Sequence, residues 1–190
     1  MPLRFKGFTQ PWQRTKLVDL ASKITMGQFP QSSNYTTNPQ DYILVQGNSD
    51  IVEQRIVPRT YTTQITKQAQ VGDLIFTVRA QVGGMAITEY PVVLGRGVCA
   101  IASENKFLYY ALQAYKQQGH WELLASGTIF ASITSSQLKN ITLAYPEVEE
   151  QEKIINLFEQ VYQLIAQTDQ LVHLYEQQKF ILMQALIAKS

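Results

Sequence analysis

The chain has 190 residues, of which 45% are hydrophobic and 16% are charged, and its formal net charge is +1. This composition excludes a disordered chain, because there is enough apolar side-chain volume to fill a core. A length of 190 residues fits one domain with an extension, or two small domains.

Residues 1–146 carry the patterns of a strand-rich domain with short helices. The N-terminal segment holds Phe5, Phe8 and Trp12 and predicts an extended arm that packs aromatic rings on the body. Helical spacing of apolar residues predicts short helices at residues 15–24 and 107–118. Short apolar runs bounded by turn residues predict strands at residues 42–46, 74–79, 86–87, 91–94, 98–101 and 141–145.

Residues 147–190 form a second region, which contains neither glycine nor proline. Acidic residues crowd its first turns, where the helix dipole favours negative charge. We therefore predict one long helix, of ~40 residues and ~60 Å at ~1.5 Å per residue. Heptad spacing places two rows of residues on one face of it, namely Ile154, Leu157, Val161, Leu164, Thr168, Leu171, Tyr175 and Leu182.

A body this small cannot cover a helix of that length alone. We expect partner helices, from a second copy or from another protein, in a coiled-coil-like dimer or bundle. The alternative is that the helix folds back on its own domain. The predicted fold class is thus α+β, with a strand-rich domain at residues 1–146 and a long C-terminal helix at residues 147–190.

The small net charge hides a division between these two regions. Residues 1–146 contain 13 Lys and Arg against 8 Asp and Glu, whereas residues 147–190 contain 3 against 7. A basic body suits a polyanion such as DNA, and an acidic helix is better placed for contact with protein.

The single cysteine, Cys99, excludes an internal disulfide and suits a reducing compartment. The N-terminus has no hydrophobic signal region, and no apolar run approaches the ~20 residues needed to cross a bilayer. We expect a soluble, cytoplasmic protein with no membrane partner.

Few residues point to catalysis. One cysteine and two distant histidines, His120 and His173, cannot form a zinc site of ordinary spacing. A nucleotide P-loop and a nucleophile elbow are both missing from the sequence. The remaining enzymatic alternative is a magnesium-dependent nuclease that would use Asp73, Glu104 and Lys106. We expect a chain without catalytic residues, bound metal or a cofactor of its own.

Polar side chains on predicted loops suit the reading of nucleic acid. Arginine pairs with guanine, and asparagine or glutamine with adenine, through two hydrogen bonds each in the major groove. The candidate DNA-binding residues are Gln28, Gln31, Gln46, Asn48, Arg55, Arg59, Lys67, Arg79 and Gln81.

Several stretches, taken in order, resemble the DNA specificity subunits of type I restriction–modification systems. The first is Leu3-Arg4-Phe5-Lys6-Gly7-Phe8, followed by Gly72-Asp73-Leu74-Ile75-Phe76-Thr77-Val78-Arg79 and Gly127-Thr128. The last is Pro146-Glu147-Val148-Glu149-Glu150-Gln151-Glu152-Lys153-Ile154, which leads into the long helix. The resemblance covers essentially the whole chain.

This resemblance implies a non-catalytic protein that recognises double-stranded DNA and recruits methyltransferase and restriction subunits. Those partners use S-adenosylmethionine, ATP and magnesium. Residues 1–146 would be a target recognition domain, and residues 147–190 a spacer helix that begins at Glu150-Gln151. The usual subunit has two recognition domains and two such helices, so this chain looks like a half subunit. We expect it to dimerise through its helix and to read one half-site of a palindromic target per chain.

Two rival functions remain open on the sequence. Magnesium-dependent cleavage that is lost in Glu104→Ala would favour the nuclease. Apolar helix pairing without salt-sensitive DNA binding would favour a coiled-coil adaptor, because binding through phosphates weakens steeply as salt rises.

Overall fold

The computed structural model describes residues 3–125 and 132–187. Internal contacts divide the chain into two compact units. The strand-rich unit is Gln10–Pro146, and the helical unit combines the residues up to Thr9 with those from Glu147 onward. The N-terminal residues, which the sequence pattern grouped with the strands, therefore make their contacts with the long helix.

Most strands come first along the chain, and most α-helices follow them. The strands are β1 Gln13–Lys16, β2 Lys23–Met26, β3 Tyr35–Thr36, β4 Tyr42–Val45, β5 Ile51–Val52, β6 Arg55–Ile56, β7 Thr60–Thr62, β8 Gln68–Ala69, β9 Leu74–Thr77, β10 Met85–Ile87, β11 Val92–Leu94, β12 Val98–Ala102 and β13 Thr142–Tyr145. The helices are α1 Leu17–Leu20, α2 Phe107–Gln117, α3 His120–Ala125, α4 Ser135–Asn140 and α5 Val148–Ile187, and short 3₁₀ turns cover Ser32–Asn34 and Asn48–Asp50.

Two larger sheets form the strand-rich unit. One is antiparallel with the order β10-β9-β12-β2, and the other has the order β3-β7-β4-β11-β8 with a parallel pair between β4 and β11. β1 pairs with β13, and β5 pairs with β6 as a hairpin. The predicted strands at residues 42–46, 74–79, 86–87, 91–94, 98–101 and 141–145 correspond to β4, β9, β10, β11, β12 and β13.

The core lies between the two sheets. Alternate residues of each strand face the same side, so Val92 and Leu94 of β11 and Val98 and Ala100 of β12 join one apolar cluster. Its other buried members are Val45, Ile56, Ala69, Ile75 and Ala86. Cys99 points away from this cluster and is itself buried, as expected for a small apolar residue.

Aromatic rings join α2 and α3 to the strands. Phe76 of β9 lies 4.7 Å from Trp121 of α3, and Trp121 lies 4.6 Å from Tyr115 of α2, measured between ring centroids. Phe107, the first residue of α2, packs edge-on against Tyr145 and Trp12. The helix predicted at residues 107–118 is thus confirmed, and it covers strand residues that face away from the central cluster.

The helix predicted at residues 15–24 is wrong over most of its length. Only Leu17–Leu20 is helical, because the flanking residues pair as β1 with β13 and as β2 with β12. Backbone pairing with distant strands outweighs the local helical spacing there.

The helical unit consists of α5 with the N-terminal residues against its first turns. Arg4 donates from Nε and Nη2 to the two carboxylate oxygens of Glu150, at 2.9 and 2.6 Å. The Lys153 ammonium lies 4.8 Å from the centroid of the Phe8 ring. The hydrogen bond with Glu150 also raises the pKa of Arg4. The predicted aromatic arm is therefore divided: Phe8 contacts α5 in the helical unit, whereas Trp12 packs in the strand-rich unit.

The long C-terminal helix and the strand-rich α+β body are confirmed. α5 spans 40 residues in one helix. Glu150 and Gln151 lie in its first turns, and their backbone amides both donate to the Glu147 carbonyl.

Candidate nucleic-acid interface

Three turns of the strand-rich unit meet at closely packed glycines. Gly27 donates from its backbone amide to Val98, and Gly95 donates to Val45, at 3.0 and 2.7 Å. A Cβ atom on Gly27 would lie 2.0 Å from the Gly95 carbonyl oxygen, and one on Gly97 would lie 2.1 Å from that of Gln46. The backbones can approach this closely only without side chains. The glycines at residues 95 and 97 thus allow neighbouring turns to pack backbone against backbone.

The first group of candidate residues surrounds the end of β11. The backbone amide of Gln28 donates to the Leu94 carbonyl, and the Leu94 amide donates to the Lys67 carbonyl, each at 2.8 Å. Arg96, which the candidate set omitted, lies with its guanidinium carbon 5.9 Å from the centroid of the Phe29 ring. Exposed Gln28, Lys67 and Arg96 are therefore held beside one another by the backbone of β11.

Gln31 lies in the adjoining loop. Its backbone amide donates to Oε1 of Gln64 at 2.8 Å, and Asn34 Nδ2 donates to the same oxygen at 2.9 Å. The side chain of Gln64, which follows β7, thus holds this loop in place. The Gln31 side chain is exposed beside this brace.

The second group lies on the loop after β9. Thr77 is fully buried, and its hydroxyl donates to the Gln81 carbonyl and accepts from the Gly84 amide, both at 2.7 Å. Ala80 takes a left-handed conformation with φ of 60°. Arg79 and Gln81 are exposed on this tight loop. The hydroxyl of Thr77 thus fixes the geometry of this loop.

The loop after β4 reaches the same place. Asn48 Nδ2 donates to Gln81 Oε1 at 2.6 Å. Buried Asp50 holds this loop, because its Oδ2 accepts from the backbone amides of Gln46 and Gly47 at 2.7 and 3.2 Å. Gln46, Asn48, Arg79 and Gln81 are therefore brought together on neighbouring loops, which their sequence separation did not reveal.

Arg55 and Arg59 lie on and just after the hairpin of β5 and β6, and both are exposed. Glu53 and Gln54 form its turn with φ of 49° and 64°. Gln54 Oε1 accepts hydrogen bonds from Gln113 Nε2, at 2.8 Å, and from the Tyr109 hydroxyl. Two α2 side chains thus anchor the hairpin that presents the arginines.

Of the residues of the nuclease alternative, Asp73 shapes a turn and Glu104 is exposed to solvent. The Asp73 carboxylate accepts from the Gln70 backbone amide at 2.8 Å and shapes the turn into β9. Glu104 is exposed before α2, where Asn105 Oδ1 accepts from the Phe107 amide at 2.9 Å. Within residues 3–125 and 132–187, no three His, Cys, Asp or Glu side chains are grouped as a metal ion would require.

α5 presents the predicted heptad rows on its surface. Leu157, Val161, Leu164, Leu171 and Leu182 are all exposed by more than 40%. Tyr175 and Thr168 are exposed as well, Ile154 is half-buried, and the Thr168 hydroxyl donates to the Leu164 carbonyl at 2.8 Å. In the part of the chain that the structure describes, no helix has the length and hydropathy of a membrane span.

A family match identifies the class of this domain. A family model described as the type I restriction modification DNA specificity domain matches residues 9–174. The chain belongs to that family, and the resemblance drawn from its motifs is confirmed. Of those motifs, Gly127-Thr128 lies outside the described residues.

Curated relatives carry the same family name. The type I restriction enzyme MjaX specificity subunit of Methanocaldococcus jannaschii is 32% identical over 148 residues, which are 75% of this chain and 34% of that protein. The MjaIX specificity subunit of the same organism is 29% identical over 87 residues, or 44% of this chain and 20% of that protein.

Solved structures share the fold over nearly the whole chain. A chain from a study of complex assembly and conformational transition of the type I R-M system matches with a TM-score of 0.72 and 27% identity, over 97% of this chain and 47% of that one. The HsdS subunit of Thermoanaerobacter tengcongensis matches with a TM-score of 0.68 and 26% identity, over 95% and 46%. This chain thus spans about half the length of these solved chains.

A further likeness concerns the fold alone. The type I restriction-modification S subunit from M. genitalium has a TM-score of 0.67 at 19% identity, over 91% of this chain and 44% of that one.

Proposed function

We propose that this chain recognises a specific DNA sequence within a type I restriction–modification system. The observation that carries the proposal is the family match over residues 9–174. The convergence of exposed amides and arginines on braced loops supports it, because such side chains can pair with base edges in the major groove. In this role the chain is not itself an enzyme, and its strand-rich unit reads one half-site.

Selection of bound duplexes from a random double-stranded pool tests sequence recognition directly. The purified chain should enrich a common motif, and its affinity should fall steeply with salt because phosphate contacts release counterions. Enrichment of no sequence by a folded chain would refute the proposal. Magnesium-dependent cleavage that disappears in Glu104→Ala would instead favour the nuclease.

We further propose that two chains pair through α5. Exposed and mostly apolar side chains at heptad spacing along a 40-residue helix support this, because burying apolar surface is the main gain in coiled-coil association. A two-fold dimer presents the same reading surface twice. Its DNA target should therefore be an interrupted palindrome, with the spacer set by the paired helices.

Light scattering of Leu171→Glu tests the pairing, with Gln170→Glu as the matched control. Both residues are exposed and adjacent, yet only Leu171 belongs to the heptad rows. The wild type and the control should be dimers at tens of micromolar, and Leu171→Glu should be a monomer. A monomeric wild type, or equal behaviour of the two variants, would contradict the model.

The direction of pairing has its own test. An antiparallel pair centred midway between Ile154 and Leu182 places Thr168 against its own copy. A Thr168→Cys variant should then form a disulfide-linked dimer on oxidation, and a dimer that never cross-links would exclude that centre.

The same proposal extends to enzyme partners. Methyltransferase and restriction subunits would dock on the paired helices and use S-adenosylmethionine, ATP and magnesium. Co-purification with the methyltransferase subunit, followed by mapping of methylated sites, tests this. A symmetric methylated motif is the expected result.

A further inference from the structure

Two side-chain amides form a pair on the surface of the strand-rich unit. Asn48 follows β4 and Gln81 follows β9, and the Asn48 Nδ2 atom lies 2.6 Å from Gln81 Oε1. Gln81 is exposed and Asn48 is half-buried. Lys116 and Glu122 line the same shallow cleft. The charges of these two lining residues oppose each other, which suits a base edge better than a phosphate.

The main chain beneath Gln81 is held from several directions. Thr77 binds both the Gln81 carbonyl and the Gly84 amide, and the Gly83 amide donates to the Thr77 carbonyl at 3.1 Å. Gly83 has φ of 88°, and a Cβ there would lie 2.8 Å from Cδ1 of Trp121. Because backbone and amide are both fixed before binding, little conformational entropy is lost when Gln81 meets a ligand.

The hydrogen bond from Asn48 leaves Gln81 with one acceptor site and two donors. An amide oxygen accepts two hydrogen bonds and its NH₂ group donates two. Asn48 occupies one site on Oε1, so the second site and Nε2 remain for a ligand. Adenine offers the complementary pattern in the major groove, with N7 as acceptor and the N6 amino group as donor. Guanine offers two acceptors there, which only the Nε2 side of Gln81 can satisfy.

We propose that Gln81 reads an adenine in each half-site and that Asn48 is a positioning residue for it. Gln81 Nε2 donates to adenine N7, and Gln81 Oε1 accepts from adenine N6 while Asn48 holds its other lone pair. This inference rests on the proposed function, since it requires that the strand-rich unit binds duplex DNA.

The test is selection from a random duplex pool with the full-length chain and three variants. The wild type should prefer an A·T pair at one position of its half-site. Gln81→Ala should lower that preference about 5- to 150-fold while leaving the other positions unchanged. Gln81→Glu should move the preference at that position to cytosine, because a carboxylate accepts from cytosine N4. Asn48→Ala should weaken the same position by a smaller factor.

Gln70→Ala is the matched control, since Gln70 is an exposed glutamine on the turn before β9. Its motif should equal that of the wild type. If the wild type enriches a motif that Gln81→Ala and Gln81→Glu leave unchanged, adenine reading by Gln81 is wrong while recognition stands. A uniform loss of affinity at all positions would make Gln81 a phosphate contact and also overturn the inference. If the wild type enriches nothing, the proposed function itself fails.

Discussion

The buried hydroxyl of Thr77 is expected to set both the stability and the reading geometry of the loop after β9. Replacing it by Thr77→Val keeps the shape of the side chain but removes the bonds to the Gln81 carbonyl and the Gly84 amide, both 2.7 Å long. Gly84 is buried, so its amide would lose its partner away from water, whereas the carbonyl of exposed Gln81 can be hydrated.

The cost can be worked out from these two bonds. A buried donor left without a partner costs about 1–3 kcal/mol, and a hydrogen bond exchanged for water costs about 1 kcal/mol. Together they predict a loss of about 2–4 kcal/mol in the free energy of unfolding. For a domain of this size that loss corresponds to a fall in Tm of about 5–15 °C.

Tryptophan fluorescence during urea unfolding measures this loss in the strand-rich unit, because Trp12 and Trp121 both belong to it. Thr25→Val is the matched control, since Thr25 lies half-buried in β2 and its hydroxyl bonds to none of the described residues. The control should change stability by less than about 0.5 kcal/mol. Equal stability of the two variants would refute the reasoning, as would a Thr77→Val protein with an unchanged DNA motif and affinity.

Three further tests, one of them with a control variant, concern the residues that hold the loops in place. Burial raises the pKa of the Cys99 thiol, so a thiol reagent should react roughly a thousandfold or more slowly with the folded chain than with the denatured one; rapid native labelling would mean that the core is open. Gly97→Ala should cost at least about 1–3 kcal/mol, because its Cβ would meet the Gln46 carbonyl. Gly47→Ala should be close to neutral, since no atom lies within 4 Å of the added Cβ, and equal melting temperatures would contradict the close packing. Thr134→Ala should cost about 0.5–2 kcal/mol by removing the N-cap of α4, measured by thermal unfolding.

Periodicity predicted the elements whose patterns are long or regular. α5 has apolar residues at heptad spacing and no helix breaker, and β9 to β12 are short apolar runs separated by turns. Such patterns distinguish a helix from a strand, so both kinds of element were predicted correctly. The helix predicted at residues 15–24 was wrong because its apolar residues have helical spacing, whereas the backbone there pairs with strands more than 70 residues away.

The grouping of the candidate residues depended on contacts that sequence does not display. Asn48 and Gln81 are 33 residues apart and meet only through their side chains. The amide oxygen of Gln64 holds the loop of Gln31 and Asn34 through contacts between residues about 30 positions apart. Asp50, Thr77 and Trp121 were missed because they act on backbone or pack behind the surface. The one available signal was Asp50, which follows Gly47-Asn48 at the spacing of a capped turn.

The interlocked glycines at residues 27, 95 and 97 divide the strand-rich unit into positions that can vary and positions that cannot. Added side chains at Gly27 and Gly97 would overlap backbone oxygens, so these positions accept only glycine. Arg79, Gln81 and Arg96 project from their loops into solvent, where exchange for other polar residues costs the fold little. If these loops read DNA as proposed, single substitutions at their tips would change the target sequence without unfolding the unit.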